Sequence, residues 1–439
     1  MTDQLQSSRL LTDSGDGQPD SPSPAVAPPL RLPSHIPALD GIRGIAVLLV
    51  LFCHATQRPF GESANQAFSS LVDRGILSLA RLSWTGVDLF FVLSGFLITG
   101  ILYDAKNKPH YFRNFYARRT VRIFPLYYAC LVLFLLVWPM LPAGFSRGFG
   151  ELQTGPLPYW LYISNYSQGL TENLGRTTDH ILHVTWSLSI EEQFYLCWPL
   201  VVFLCTRQTL LRICVYMFFG AMALRTALLL DGFWNVAMMF TPCRVDGLAV
   251  GAAIALIARG PRGIGCLIRP AKIIGPASAI ALGILIVGMY KLGYRRGIGQ
   301  SPGYVTLGNG LISIFYGSIL IFAAASDRGT WANRFFASRP LRTFGKYSYA
   351  VYLLHMPIMI LFAEYVFSPA HVRLGGSLLP GLLIYYAATW TLSLLAALAS
   401  WNLLEKHFLK LKDYFPMEPR AQATHAALQR ESTSAKAAA

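Results

Sequence analysis

The 439-residue chain predicts an all-α fold, a polytopic membrane bundle of about ten helices, and three observations carry that expectation. Hydrophobic residues make up 54% of the chain and charged ones 13%, about half the charged share of a soluble domain. Mean hydropathy is +0.43. Apolar residues gather into ten stretches, each near the roughly 20 residues that a helix needs to cross about 30 Å of hydrocarbon. An open sheet would leave backbone groups unpaired in lipid, and the alternation of a barrel is missing.

The spans fall near 38–57, 84–103, 123–142, 186–205, 210–230, 243–260, 272–291, 305–326, 347–367 and 379–401. Lys and Arg crowd alternate connections: Lys106 to Arg122, Arg207 and Arg212, Arg259 to Lys272, Arg328 to Lys346, and Lys406 to Lys412. By the positive-inside rule these are cytoplasmic, which puts both termini in the cytoplasm. The net charge of +15 is then a topology signal, and no nucleic-acid partner is expected. Residues 1–35, rich in Ser, Pro and Asp, and residues 413–439 read as disordered cytoplasmic tails around a transmembrane domain at 36–412. The connection 143–185 shows no strong helical period and is long enough to cap an outward-facing cavity. Seven cysteines with no Cys-x-x-Cys spacing argue against a disulfide scaffold, and no metal site is expected.

Ionisable residues inside apolar spans are costly, so each is a functional candidate. In the first span Arg43 and His54 lie eleven residues apart, about three turns, on nearly one face. The Arg is expected near the inner boundary and the imidazole near mid-depth, ready as a base. In the second span Asp88 is placed to orient an imidazole or bind a hydroxyl. Ser94 and Gly95 read as packing residues, since no nucleophile elbow surrounds the serine.

Arg118, Arg119 and Arg122 precede Pro125, which reads as the start of the third span, so guanidinium groups and a helix N-terminus would converge as a phosphate site. Glu191 and Glu192 follow Trp186 at the outer start of the fourth span, where carboxylates suit a capped interfacial helix and where the sharper expectation is that one binds acceptor hydroxyls or aligns His54. Arg225 expects a carboxylate partner, and Arg244 and Asp246 read as a local ion pair. Tyr349, Tyr352 and His355 share a helix face in the ninth span and line a cavity with His54.

Taken in order, these segments resemble acyltransferase family 3, integral membrane proteins that O-acylate exported or cell-surface carbohydrates. The resemblance rests on Arg43 with ten residues before His54, Phe-Phe-x-x-Ser-Gly at 90–95, and Arg119-x-x-Arg122 before Pro125. It rests also on Trp-Ser-Leu-Ser-Ile-Glu-Glu-Gln-Phe-Tyr from Trp186 and on the segment from Tyr347 to Pro357; together these cover about 37–408. It implies a multi-pass protein of the bacterial inner membrane that moves an acyl group, by default acetyl, from cytoplasmic acyl-coenzyme A to a carbohydrate or glycolipid hydroxyl. It further implies that Arg43 and His54 are central, with Arg119 and Arg122 near the donor. Added to the readings of the single spans, this makes Asp88, Glu191 and Glu192 further catalytic candidates, Arg43, Arg118, Arg119 and Arg122 the expected donor site, and Trp186, Tyr349, Tyr352 and His355 the expected acceptor site. Some relatives carry a fused esterase-like outer domain; here transfer is expected within the bundle or by hand-over to a separate extracytoplasmic enzyme. The acceptor stays open among lipopolysaccharide, exopolysaccharide, peptidoglycan and small glycosides. A transporter or flippase of lipid-linked sugars is the rival reading, lowered by the lack of an inverted repeat.

Overall fold

The computed structural model describes residues 36–140, 155–176, 181–293, 301–326 and 329–417. The described residues are almost entirely helical and contain no strand, and the protein is a polytopic helical membrane protein. In chain order the main helices are α1 Pro37–Gln57, α2 Leu71–Leu82, α3 Gly86–Ala105, α4 Tyr111–Leu131, α5 Ser164–Asn173, α6 Thr185–Leu204 and α7 Arg207–Leu230. They continue as α8 Thr241–Ala258, α9 Gly265–Lys291, α10 Asn309–Ala325, α11 Arg339–Lys346, α12 Ser348–Tyr365 and α13 Leu379–Ser400.

Among the described residues nine helices are long and apolar enough to cross a membrane. The remaining expected span, the fourth, forms as α6, a 20-residue helix of about 30 Å. Glu191, Glu192 and Gln193 in its second turn leave it less apolar than the nine. Burial separates a centre from a rim. In α3 with its lead-in helix 78% of the apolar window is buried, against 11% in α9, so α3 is core and α9 turns most of its surface to lipid.

Close helix approach at the centre depends on glycine, the small-residue packing expected where no hydrophobic effect drives helices together. A Cβ on Gly95 would stand 2.0 Å from the Leu248 carbonyl oxygen, and one on Gly251 would stand 1.9 Å from that of Val92, so α3 and α8 meet backbone to backbone. Gly41 does the same for α1 against the segment leading into α11, with a Cβ at 1.6 Å from Phe336 O, and Gly44 against α11 itself, with a Cβ at 2.0 Å from Leu341 O.

Three local expectations change. Helix α4 starts at Tyr111 and runs through Pro125, so the arginines ride mid-helix and no helix N-terminus converges on them. Proline lacks the amide hydrogen of that turn, and the helix tolerates it as membrane helices do. Within the connection 143–185, residues Ser164–Asn173 form α5, packed on the short helix Trp234–Met239; residues 141–154 and 177–180 lie outside the described residues. The boundary at 412 moves outward. Residues 410–414 form a 3₁₀ turn, and Asn114 and Arg118 bond carbonyls of Pro416, Lys412 and Phe415, so 413–417 are folded against α4. The remainder of both expected tails, 1–35 and 418–439, lies outside the described residues.

Candidate active site

A cavity of about 340 Å³ runs between α3, α4, α6 and α12. Its basic end is walled by Arg43, Arg118, Arg119, Arg122 and Lys412, its middle by Phe115, Ser94, Glu191 and Tyr195, and its far end by Val87, Ser187 and Tyr352. The arginines are not equivalent. Arg43 is bonded to Asp40 at 3.0 Å. Arg118 donates to the carbonyls of Lys412 at 3.2 Å and Phe415 at 3.1 Å, so it fastens the chain end as well as facing the cavity. Arg119 lies over the rings of Tyr195 at 5.0 Å and Phe115 at 5.8 Å, a cation–π setting that fixes the fork without neutralising it. Arg122 has no ion-pair partner among the described residues.

Glu191 sits in the same cavity as the arginines rather than at an opposite face, because it stands nearly two turns inside α6 and points between α3 and α4. The hydroxyls of Ser94 and Tyr195, bonded to each other, lie against its carboxyl. Ser94 is thus a wall residue of the cavity as well as a packing residue. Glu192 points away, toward Tyr127, Tyr128, Tyr162 and Tyr349, with one buried oxygen that has no hydrogen-bond partner.

Beyond the far end lie the histidines. His54 stands in the last turn of α1, not near its middle, and its Nδ1 is 2.9 Å from Nε2 of His355. The two ring planes are within 8° of parallel. His355 is fully buried, and its Nδ1 faces only carbonyl oxygens, Tyr352 O at 2.6 Å and Val351 O at 3.2 Å. A carbonyl only accepts, so His355 Nδ1 carries the proton and its Nε2 is a lone pair. His54 Nδ1 must then donate, which leaves the basic lone pair of a neutral His54 on Nε2. His355, expected to line a cavity with His54 and meet substrate, lies outside the cavity lining and is bonded to His54. Its helix neighbour Tyr352 bonds Ser187 Oγ at 2.5 Å and Val184 O at 3.2 Å, so these two hydroxyls form the part of the cavity wall nearest His355.

The remaining candidates are placed elsewhere. Asp88 is 1% exposed and pairs with Arg244 at 2.6 Å, not with an imidazole. Arg244 therefore does not pair with Asp246; that carboxylate pairs with Arg225 at 2.7 Å, and Arg225 also donates to Cys243 O. Two buried pairs thus tie α8 to α3 and to α7, the arrangement a charge needs to persist away from water. Trp186 is 9% exposed and packs edge-on against Phe91, with its ring 5.9 Å from the Arg244 guanidinium, outside the cavity lining. Tyr349 donates to Ile123 O at 2.8 Å and lines both this cavity and a second one on its other side.

The site is thus a basic-ended cavity inside a membrane bundle, with a bonded histidine pair behind its wall residue Tyr352, an arrangement suited to group transfer within the membrane. The sequence narrows the class: the acyltransferase family 3 profile, an acyltransferase domain, matches residues 36–399, and the chain belongs to that family. Peptidoglycan O-acetyltransferase OatA of Listeria monocytogenes is 27% identical over 341 residues, covering 74% of this chain and 50% of the relative. Putative peptidoglycan O-acetyltransferase YrhL of Bacillus subtilis is 26% identical over 344 residues, covering 74% and 49%. O-acetyltransferase OatA of Staphylococcus aureus is 27% identical over 348 residues, covering 76% and 52%. The chain spans about half the length of these curated relatives. No solved structure matches it.

Proposed function

We propose that the protein transfers an acetyl group from acetyl-coenzyme A, entering from the cytoplasm, to a hydroxyl of a cell-envelope glycan, with peptidoglycan the acceptor class suggested by its relatives' names. The single observation that carries this reading is a cavity lined by Arg43, Arg119 and Arg122 whose wall residue Tyr352 stands 5.8 Å, ring to ring, from His355, the partner of His54. Arg119 and Arg122, assisted by Arg43, hold donor phosphates, since guanidinium forks match phosphate oxygens in pairs. Tyr352 and Ser187 part to let the thioester reach the histidine.

The chemistry then needs little more than a base and geometry, because a thioester is already activated. His54 Nε2 takes the proton of the acceptor O–H as that oxygen attacks the thioester carbonyl. The tetrahedral intermediate collapses with loss of the C–S bond, and the imidazolium returns its proton to the leaving thiolate. His355 stabilises the transient positive charge by accepting from His54 Nδ1. Direct attack by Nε2 to give an acyl-histidine, then transfer to the hydroxyl, uses the same geometry.

Proteoliposomes holding the purified chain, given acetyl-coenzyme A with a labelled acetyl group and an acceptor glycan, should release free coenzyme A and label the glycan. His54→Ala should lower that rate about 10²- to 10⁴-fold, the usual worth of a positioned general base. Wild-type protein that carries glycan across the bilayer with the thioester intact would mark a transporter instead.

A further inference from the structure

Next to the first cavity, across Arg43, Arg122 and Tyr349, lies a second of about 710 Å³. The transfer chemistry above draws on two of its wall residues, Arg43 and Arg122, but leaves the rest of it unused. Its outer wall is α11, an eight-residue amphipathic helix that Gly41 and Gly44 allow to lie against α1. That contact carries Arg339, Arg342 and Lys346 to the rim beside Arg43 and Arg122, opposite Tyr347 and Trp401. Five cations thus meet two carboxylates, Asp40 and Glu405. Asp40 is bonded to Arg43, and Glu405 accepts from Ser400 at 2.9 Å. Arg339, Arg342 and Lys346 are exposed and have no ion-pair partner among the described residues, although Lys346 rests 5.2 Å from the face of Trp401.

This is an anion site with an aromatic floor, and its size matters. The first cavity, at about 340 Å³, is near the small end of the roughly 300–1,000 Å³ range of small-molecule sites. Acyl-coenzyme A is a large ligand with two unlike parts, a slender acyl-pantetheine arm and an adenine nucleotide bearing a diphosphate and a 3′-phosphate. One cavity is narrow and part apolar; the other is wide and basic; they share a wall of two arginines and a tyrosine.

We propose that the second cavity is the nucleotide subsite of the donor: Arg339, Arg342 and Lys346 hold the 3′-phosphoadenosine end, Arg43 and Arg122 bridge the diphosphate, and the acyl-pantetheine arm enters the first cavity. The proposal rests on the donor reading above. The same chemistry would suit the phosphate of an anionic lipid, and the test separates the two.

Binding of acetyl-coenzyme A, 3′-dephospho-acetyl-coenzyme A and acetyl-pantetheine is measured on full-length protein in nanodiscs, with and without phosphatidylglycerol. Wild type should bind acetyl-coenzyme A about tenfold tighter than its 3′-dephospho form, the scale of one charge-assisted contact. Arg339→Ala with Arg342→Ala should erase that difference and leave acetyl-pantetheine binding unchanged, while Arg339→Lys with Arg342→Lys should restore part of it in an equally well-folded protein. A double-Ala variant that keeps the preference overturns the subsite. So does one that loses only phosphatidylglycerol dependence, which would make a lipid the ligand. Wild type that binds none of the three thioesters overturns the donor reading itself.

Discussion

His355 illustrates how much a single side chain can decide. Its buried Nδ1 sees only the carbonyls of Tyr352 and Val351, and that constraint passes through Nε2 to fix the tautomer of His54. His355→Ala should therefore lower turnover about tenfold or more while leaving KM for acetyl-coenzyme A unchanged, because the base survives but loses its orientation. His355→Gln, whose amide oxygen can accept from Nδ1–H, should recover part of the rate; steady-state kinetics of the three proteins would check both outcomes. The sequence suggested that His54 and His355 line one cavity; the structure puts both outside the cavity linings and bonds them directly to each other, which the sequence did not suggest. Spacing reports which residues share a face of one helix, whereas the meeting of α1 and α12 is set by tertiary packing.

Between elements, the decisive contacts are polar. Pairs Asp88–Arg244 and Asp246–Arg225 join α3, α8 and α7 in surroundings with almost no water. Asp88→Asn leaves a buried guanidinium without its counter-charge, and the expected cost is about 3–5 kcal/mol of stability. It should appear as a lower thermal midpoint and a poorer yield of monodisperse protein. Replacing Asp88 and Arg244 together by Leu should be milder than Asp88→Asn, which a catalytic role for Asp88 would not predict. The positions of these charges were plain in the sequence, and their pairing was not: Arg244 and Asp246 are two residues apart, so they lie on different sides of α8 and each finds its partner on another helix. Helix α11 escaped notice for a different reason. Eight residues of mostly polar sequence are too short and too hydrophilic to register as a span.

For the whole molecule, apolar length alone located nearly every long helix, because lipid leaves the backbone no other option. The exception in strength, α6, is also the one that decides topology. If it crosses with the nine, the count is even and both chain ends lie on one side, the cytoplasmic side by the distribution of Lys and Arg. Reporter fusions or cysteine labelling at the two ends should give the same sidedness in intact cells; opposite sidedness would mean that α6 does not span. Glu191, Glu192 and Gln193 weaken it as a lipid-facing helix, while Glu191 and Tyr195 face the cavity that α6 helps to enclose.

The bond between Ser187 and Tyr352 has a bearing on bioenergetics. A path open from end to end through the bundle would short-circuit the proton gradient that an energised membrane maintains, and a histidine pair at one mouth would hasten the leak by relaying protons. Joined, those two hydroxyls stand between the arginine-lined cavity and His355, where they would interrupt a continuous wire of water. In proteoliposomes loaded with a pH-sensitive dye, Tyr352→Ala should collapse an imposed gradient faster than wild type. A cell carrying that variant would then lose more by running down its membrane than by leaving its glycan bare.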